Sequence, residues 1–304
     1  MKFWFILAYI RRAIVFESPI QQALQYYPIT LALVVMCVGV FALQLFFGVN
    51  PTNPTNQSLI AWGANFLPFS LGEAPWRLVT SLFLHIGFMH LLFNMFALYY
   101  FGQVAERMFG AVNFLALFLL SGVGGNLLNN FLGLHSVMAG EPPIISAGAS
   151  GGIMGIGMAL LVTALTKTSF NNFALNFRSL LIVMAINLGY GFLVGGIDNA
   201  GHVGGAIVGG LLGLVYVMQY RVIRQQQLFA HKASGAPWQP NTLANSEISG
   251  ITNHQSTPPS SRALSGKIVR SSYMILTVLF IGIYWWLHTN FMQLLNTALP
   301  SIIH

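Results

Sequence analysis

Charge is what this chain has least of. Its 304 residues include 13 Lys and Arg and 6 Asp and Glu, 6% charged in all, where an ordinary soluble domain carries about 25%. So few charges cannot clothe a solvated globular enzyme, and that class is excluded. Cysteine is almost absent as well. The single Cys37 lies in an apolar run, so no intramolecular disulfide forms and no cluster of thiolates exists to hold zinc or an iron–sulfur group. No cofactor and no metal is implied.

What the chain has is apolar length. Hydrophobic residues make up 55% of it, the mean hydropathy is +0.69, and the apolar character returns in block after block from Ala32 to Trp286. This is the pattern of an all-α polytopic membrane protein, whose spans need about 20 residues each. Spans are expected at 28–47, 84–101, 112–132, 150–166, 179–194 and 202–220, with a seventh at 273–287 that ends on Trp285 and Trp286, an aromatic pair suited to a membrane boundary. The expected organisation is an interfacial N-terminal segment (1–27), a six-span core (28–220), a flexible polar linker rich in Gln, Ser, Asn and Pro (221–270), and the seventh span with a short tail (271–304). Between the first two spans, residues 48–73 are rich in Asn, Pro and Gly yet hold Leu59, Trp62, Phe66 and Leu67. That loop is expected to dip into the interface.

The basic residues give the orientation. Lys2, Arg11, Arg12, Arg107, Lys167, Arg178 and the group after span six fall on one side, and Arg77 is the only basic residue opposite. The positive-inside rule makes the basic side cytoplasmic. The basic balance therefore describes topology and attraction to anionic lipid, and no nucleic-acid partner is expected. Spans two, four and six all run inward, so their first turns share a depth near the outer leaflet.

Polar groups gather at that depth. Span two carries His85, His90 and Asn94, span four begins with Ser150, and span six begins with His202. Polar and ionisable groups in hydrocarbon are expensive and call for a functional reading. Taken singly, each has a plainer one: a serine that bonds back to its own helix, a histidine that packs, relays protons or binds metal, an asparagine that joins helices. Convergence changes the balance. His90 and Asn94 share one helical face, Gly205 and Gly209 lie on the face of His202, and Gly151 follows Ser150, so small surfaces allow the fourth and sixth spans to approach closely. A serine that a histidine deprotonates is a nucleophile for acyl transfer, and the same histidine then protonates the leaving amine. Amides at the start of span four, with His90 and Asn94, would meet the oxyanion. Asp198 stands four residues before His202 but in a loop; a Ser–His dyad is the simpler expectation.

These residues carry a family resemblance. GASG (Gly148 to Gly151) with Ser150, HLLFN with His90 and Asn94, AGHVGGAIVG with His202, Gly205 and Gly209, and Trp76–Arg77 ahead of span two together resemble the rhomboid intramembrane serine proteases. The resemblance covers the six-span core, residues 28–220. It implies a rhomboid-like six-helix bundle with an additional C-terminal helix, Ser150 as nucleophile and His202 as base, and an oxyanion hole of His90, Asn94 and the Ser150 amide. It also implies substrates that are single transmembrane helices, unwound near small residues and admitted sideways from the bilayer. Four residues after the serine the family commonly has an aromatic ring, whereas this chain has Met154, a thioether able to contact an imidazole. Glu106 and Arg107 match a structural polar cluster at the inner end of span two.

Two other classes compete. An adaptor that binds transmembrane helices without cutting them would be expected to lack Ser150 or His202. A transporter using His85, His90 and His202 would want intramembrane carboxylates, and Glu106 at an inner end is nearly alone. The expected setting is a bacterial inner membrane with the N-terminus inside and the site open to the outer side; substrate identity and oligomeric state are not legible.

Overall fold

The computed structural model describes residues 24–168, 175–193, 198–234 and 259–298. The expected interfacial segment, the middle of the polar linker and the C-terminal tail lie outside the described residues.

The architecture is an all-α membrane bundle. Helix α1 (Pro28–Phe46) starts on a proline, whose fixed φ suits a first helical turn. A long loop follows, built from α2 (Asn56–Ala61), the two-residue strand β1 (Asn65–Phe66), α3 (Leu67–Ser70) and α4 (Arg77–Thr80), then a single 3-10 turn, Ser81–Phe83. Leu59, Ala64, Leu67, Leu71 and Leu78 of this loop are buried, so it has a core of its own and folds onto the bundle. The chain then turns by 91° into α5 (Phe88–Phe109). Gly110, at φ +83°, reverses the path in one residue into α6 (Ala111–Met138). Strand β2 (Ile145–Ser146) pairs antiparallel with β1 in the register Asn65↔Ser146. Then come α7 (Ser150–Leu165), α8 (Phe177–Leu193), α9 (Asn199–Ser234) and α10 (Pro259–Ala298).

Four of these helices, α1, α6, α9 and α10, are long and apolar enough to cross a membrane, and the bent pair ending in α5 makes a fifth. The expected fourth and fifth spans are shorter, at 16 residues for α7 and 17 for α8. Sixteen residues rise only ~24 Å. Helix α7 tolerates this because it is enclosed: α9, α6, α8 and α5 all pack on it, and residues along its length from Gly151 to Thr163 are buried. It meets protein where the other helices meet lipid.

Helices reach further into the polar segment than composition implies. Helix α9 continues through Ser234 and α10 begins at Pro259, so residues 221–270 are helical at both ends. Gln, Arg, Lys and Ala are good helix formers and extend a nucleated helix at little cost. The C-terminal helix is fastened to the core at two levels. About four turns in, Tyr273 donates to Asn113 Oδ1 at 2.7 Å and lies 2.9 Å from the Tyr216 hydroxyl, which itself donates to the Asn113 carbonyl at 3.0 Å. At the other level, Leu287 and Phe291 pack with Leu67, Leu71, Leu78, Leu127 and Leu134, and His288 Nδ1 lies 2.6 Å from the Leu71 carbonyl.

Glu106 explains how α1 is seated. Its buried carboxylate accepts from the Ile29 amide at 2.9 Å and from the Thr30 amide and hydroxyl at 2.7 Å each. Three donors of the first turn of α1, two of them amides that no helix can satisfy internally, are thereby met. The structural role read for Glu106 is what the geometry displays.

Candidate active site

Three helix starts meet at one level of the bundle. Ser150 is the first residue of α7. It follows Gly148, whose φ of +136° is open to glycine and whose amide donates to the Ser81 carbonyl at 2.9 Å. His202 lies in the first turn of α9. Between these two helices there is almost nothing but backbone. A methyl group on Gly205 would collide with the carbonyl oxygen of Gly151 and stand 2.7 Å from its carbon. One on Gly209 would collide with the backbone of Gly155. Gly151 itself lies against the Gly201 carbonyl, 3.3 Å from where its own side chain would begin. The two helices therefore touch one residue beyond Ser150 and three beyond His202, at the smallest separation that polypeptide allows.

The third start is that of α5. A side chain on Gly148 would meet the His90 ring at 2.7 Å and Asn94 Nδ2 at 3.7 Å, which sets both residues beside the turn that leads into Ser150. The Ile86 amide donates to His90 Nδ1 at 3.3 Å. That leaves the ring proton on Nε2, 3.0 Å from the same point on Gly148. One N–H of the Asn94 amide is spent on the His90 carbonyl at 3.1 Å, and its second remains. The start of α7 adds unpaired amides and the positive end of a helix dipole. Chemically, this corner offers several donors around one hydroxyl.

Other expected site residues take different places. His85 is not on helix α5; it sits in the break before it, 1% exposed, with its ring 5.3 Å from that of His90. The glycine at 87 starts α5 later than the hydropathy pattern implies, and His85 packs behind His90. Met154, one turn after Ser150, is buried in the main core. Trp76 and Arg77 organise the first loop. The Arg77 guanidinium donates to the Ile60 carbonyl at 2.6 Å and to that of Ala64 at 3.2 Å, and lies 4.8 Å over the Trp76 ring and 5.2 Å over Phe69. Its charge is absorbed by backbone carbonyls and aromatic faces.

Asp198 does not hold the His202 ring, whose Nδ1 has no hydrogen-bond partner. The carboxylate instead accepts from the Gly201 amide at 2.7 Å, from Asn129 Nδ2 at 2.9 Å and from the Ser146 hydroxyl. Asn129 and Ser146 escaped the reading of the sequence. The signal for the first was present in three asparagines, Asn126, Asn129 and Asn130, inside an apolar helix.

A polytopic helical membrane protein with a serine and a histidine at touching helix ends is one class among membrane proteins, and comparison narrows it. Residues 72–219 match the model of the Rhomboid domain. The chain is 31% identical over 217 residues to the rhomboid protease AarA of Providencia stuartii, covering 66% of this chain and 76% of that one. It is 37% identical over 161 residues to the rhomboid protease GluP of Bacillus subtilis (strain 168), which is 53% of this chain but only 30% of GluP. It is also 37% identical over 168 residues to the mitochondrial RHOMBOID-like protein 6 of Arabidopsis thaliana, 55% of this chain and 52% of that one. The chain belongs to the rhomboid family and is an integral membrane protein.

Proposed function

We propose that this protein is an intramembrane serine endopeptidase that cleaves transmembrane segments of other proteins with Ser150 as nucleophile and His202 as general base. The observation that carries the reading is the backbone contact of α7 and α9 at Gly151 and Gly205, immediately inward of the two residues. Helices this close allow a hydroxyl and an imidazole on their first turns to come within reach of one another. His202 takes that proton as Ser150 attacks the scissile carbonyl, then returns it to the leaving amine. The His90 Nε2–H, the free Asn94 N–H and the Ser150 amide bear the oxyanion. Loss of one such donor commonly costs about 10²–10³ in rate.

The substrates are single transmembrane helices with small, helix-destabilising residues, entering from the lipid. The setting is a bacterial inner membrane with the N-terminus cytoplasmic and the site open to the outer side, as the basic residues imply. The named proteases AarA and GluP support the activity, and the unpartnered His202 Nδ1 supports a dyad without a carboxylate partner.

Labelling of the detergent-purified protein with a fluorescent fluorophosphonate tests this. Label is expected on the parent and on neither Ser150→Ala nor His202→Ala. A folded parent that takes no label would overturn the protease reading in favour of an adaptor that binds helices without cutting them.

A further inference from the structure

Two catalytic helices in contact can still slide or rotate, and the glycine seam between α7 and α9 has no side chains to set its register. Something outside the seam has to. The buried polar residues above it form one connected group. Asp198 precedes α9 and is its N-cap: one carboxylate oxygen accepts from the Gly201 amide at 2.7 Å, the third amide of the helix. The same oxygen accepts from Asn129 Nδ2 of α6 at 2.9 Å. The other oxygen accepts from the hydroxyl of Ser146, which is 6% exposed and belongs to β2. Asn129 in turn accepts from Asn65 Nδ2 at 3.4 Å, and Asn65, opposite Ser146 in the strand pair, is fully buried.

We propose that Asp198 is a positioning residue that ties the segment entering the serine helix to the segment entering the histidine helix and thereby sets how Ser150 faces His202. The spacing is symmetric. Ser146 stands four residues before Ser150, and Asp198 stands four before His202. One carboxylate thus spans both approaches, while Asn129 anchors it to α6, a helix that carries neither catalytic group. Bonds to an ionised acceptor are shorter and about twice as strong as neutral ones, and at the start of α9 the negative charge is further favoured by the helix dipole. Glycine at 201 is part of the device, since a side chain there would collide with the Asp198 carboxylate. The inference rests on the protease reading for its catalytic meaning, but the tie itself is a matter of distance.

Two measurements separate the two. The first reads fluorophosphonate inactivation of the full chain in detergent, resolved into the binding constant of the probe and the rate of the chemical step. Asp198→Ala and Ser146→Ala are expected to slow the chemical step about tenfold or more, in line with the cost of an ångström-scale misplacement, with binding unchanged. The double variant should be no slower than Asp198→Ala alone, because both remove the same tie. Asp198→Asn keeps an oxygen for Gly201 and Asn129 and turns an N–H toward Ser146 Oγ, so it should recover most of the rate. The second measurement needs no activity. In the Ser150→Cys/His202→Cys variant, where fully buried Cys37 stays silent, a short bifunctional methanethiosulfonate should bridge the two thiols quickly, and adding Asp198→Ala should slow bridging several-fold while Asp198→Asn does not.

Bridging at an unchanged rate with Asp198→Ala overturns the proposal, whatever the labelling. So does an Asp198→Asn protein that is folded, by its thermal transition, yet as slow as Asp198→Ala, because the charge and not the tie would then matter. A parent that bridges as expected but takes no label overturns the protease reading and leaves the positioning role standing. Should Asp198→Ala fail to fold, Ser146→Ala in both measurements decides.

Discussion

Helix α9 meets α7 and α10 in opposite ways. Against α7 it presents Gly205, Gly209 and Gly213, whose backbones rest on Gly151, Gly155 and Ala159, with no side chain larger than the Ala159 methyl between. Against α10 it presents the Tyr216 hydroxyl, in a cluster with Tyr273 and Asn113. The first contact fixes a separation, rigid backbone on rigid backbone, though not a register. The second is made of side chains that can change rotamer, on a helix whose most apolar window is only 17% buried in protein. The proposed catalytic pair, whose chemistry would need tenths of an ångström, sits beside the first kind of contact, and the second kind attaches a helix that faces mainly lipid.

The sharpest way to break this contrast is to add carbon to the seam. Gly205→Val or Gly209→Leu forces backbone apart from backbone, and overpacking costs about 1–3 kcal/mol, more where rigid backbone has to move. Loss of the cooperative thermal transition in detergent, or of labelling at Ser150, is the expected outcome. Next in size is the seat of α1. Removing the Glu106 carboxylate with Glu106→Ala orphans three buried donors, at about 1–3 kcal/mol for one such group; a Tm well below that of the parent is expected, with Glu106→Gln intermediate because one acceptor remains.

Side-chain fastenings of α10 should matter less. Tyr216→Phe removes one hydroxyl from a three-member cluster and should cost about 1 kcal/mol, seen as a small fall in Tm with labelling intact. His288→Ala loses one polar contact, with the Leu71 carbonyl, and ring contacts with Trp285 and Tyr284 on its own helix at a rim that Leu287 and Phe291 still cover, and an effect of about 1 kcal/mol is expected. A Tyr216→Phe protein as damaged as Gly205→Val would erase the distinction between the two contacts.

Much of the candidate site was legible because its residues are in the wrong solvent. Ser150, His202, His90 and Asn94 stand out in apolar segments, and the glycines spaced at four along α9 announce a close helix partner. Glu106 was legible in the same way. What escaped was local geometry and polar pairing across distance. His85 reads as part of a span, but positive φ at Gly87 starts α5 after it. Asp198 reads as a loop acid beside a histidine, yet its partners are Asn129 and Ser146, 69 and 52 residues away.

The sequence by itself determined that this is a helical membrane protein, its approximate spans, and the polar residue types at the helix starts, because hydrocarbon imposes a length on each span and a penalty on each polar group that are felt locally. Only the tertiary structure decided that α7 can be short, that α10 bolts to both the tyrosine cluster and the first loop, and that one carboxylate joins the approaches to Ser150 and His202. Enclosure, docking and a shared hydrogen bond are properties of neighbours in space, and no window along the chain contains them.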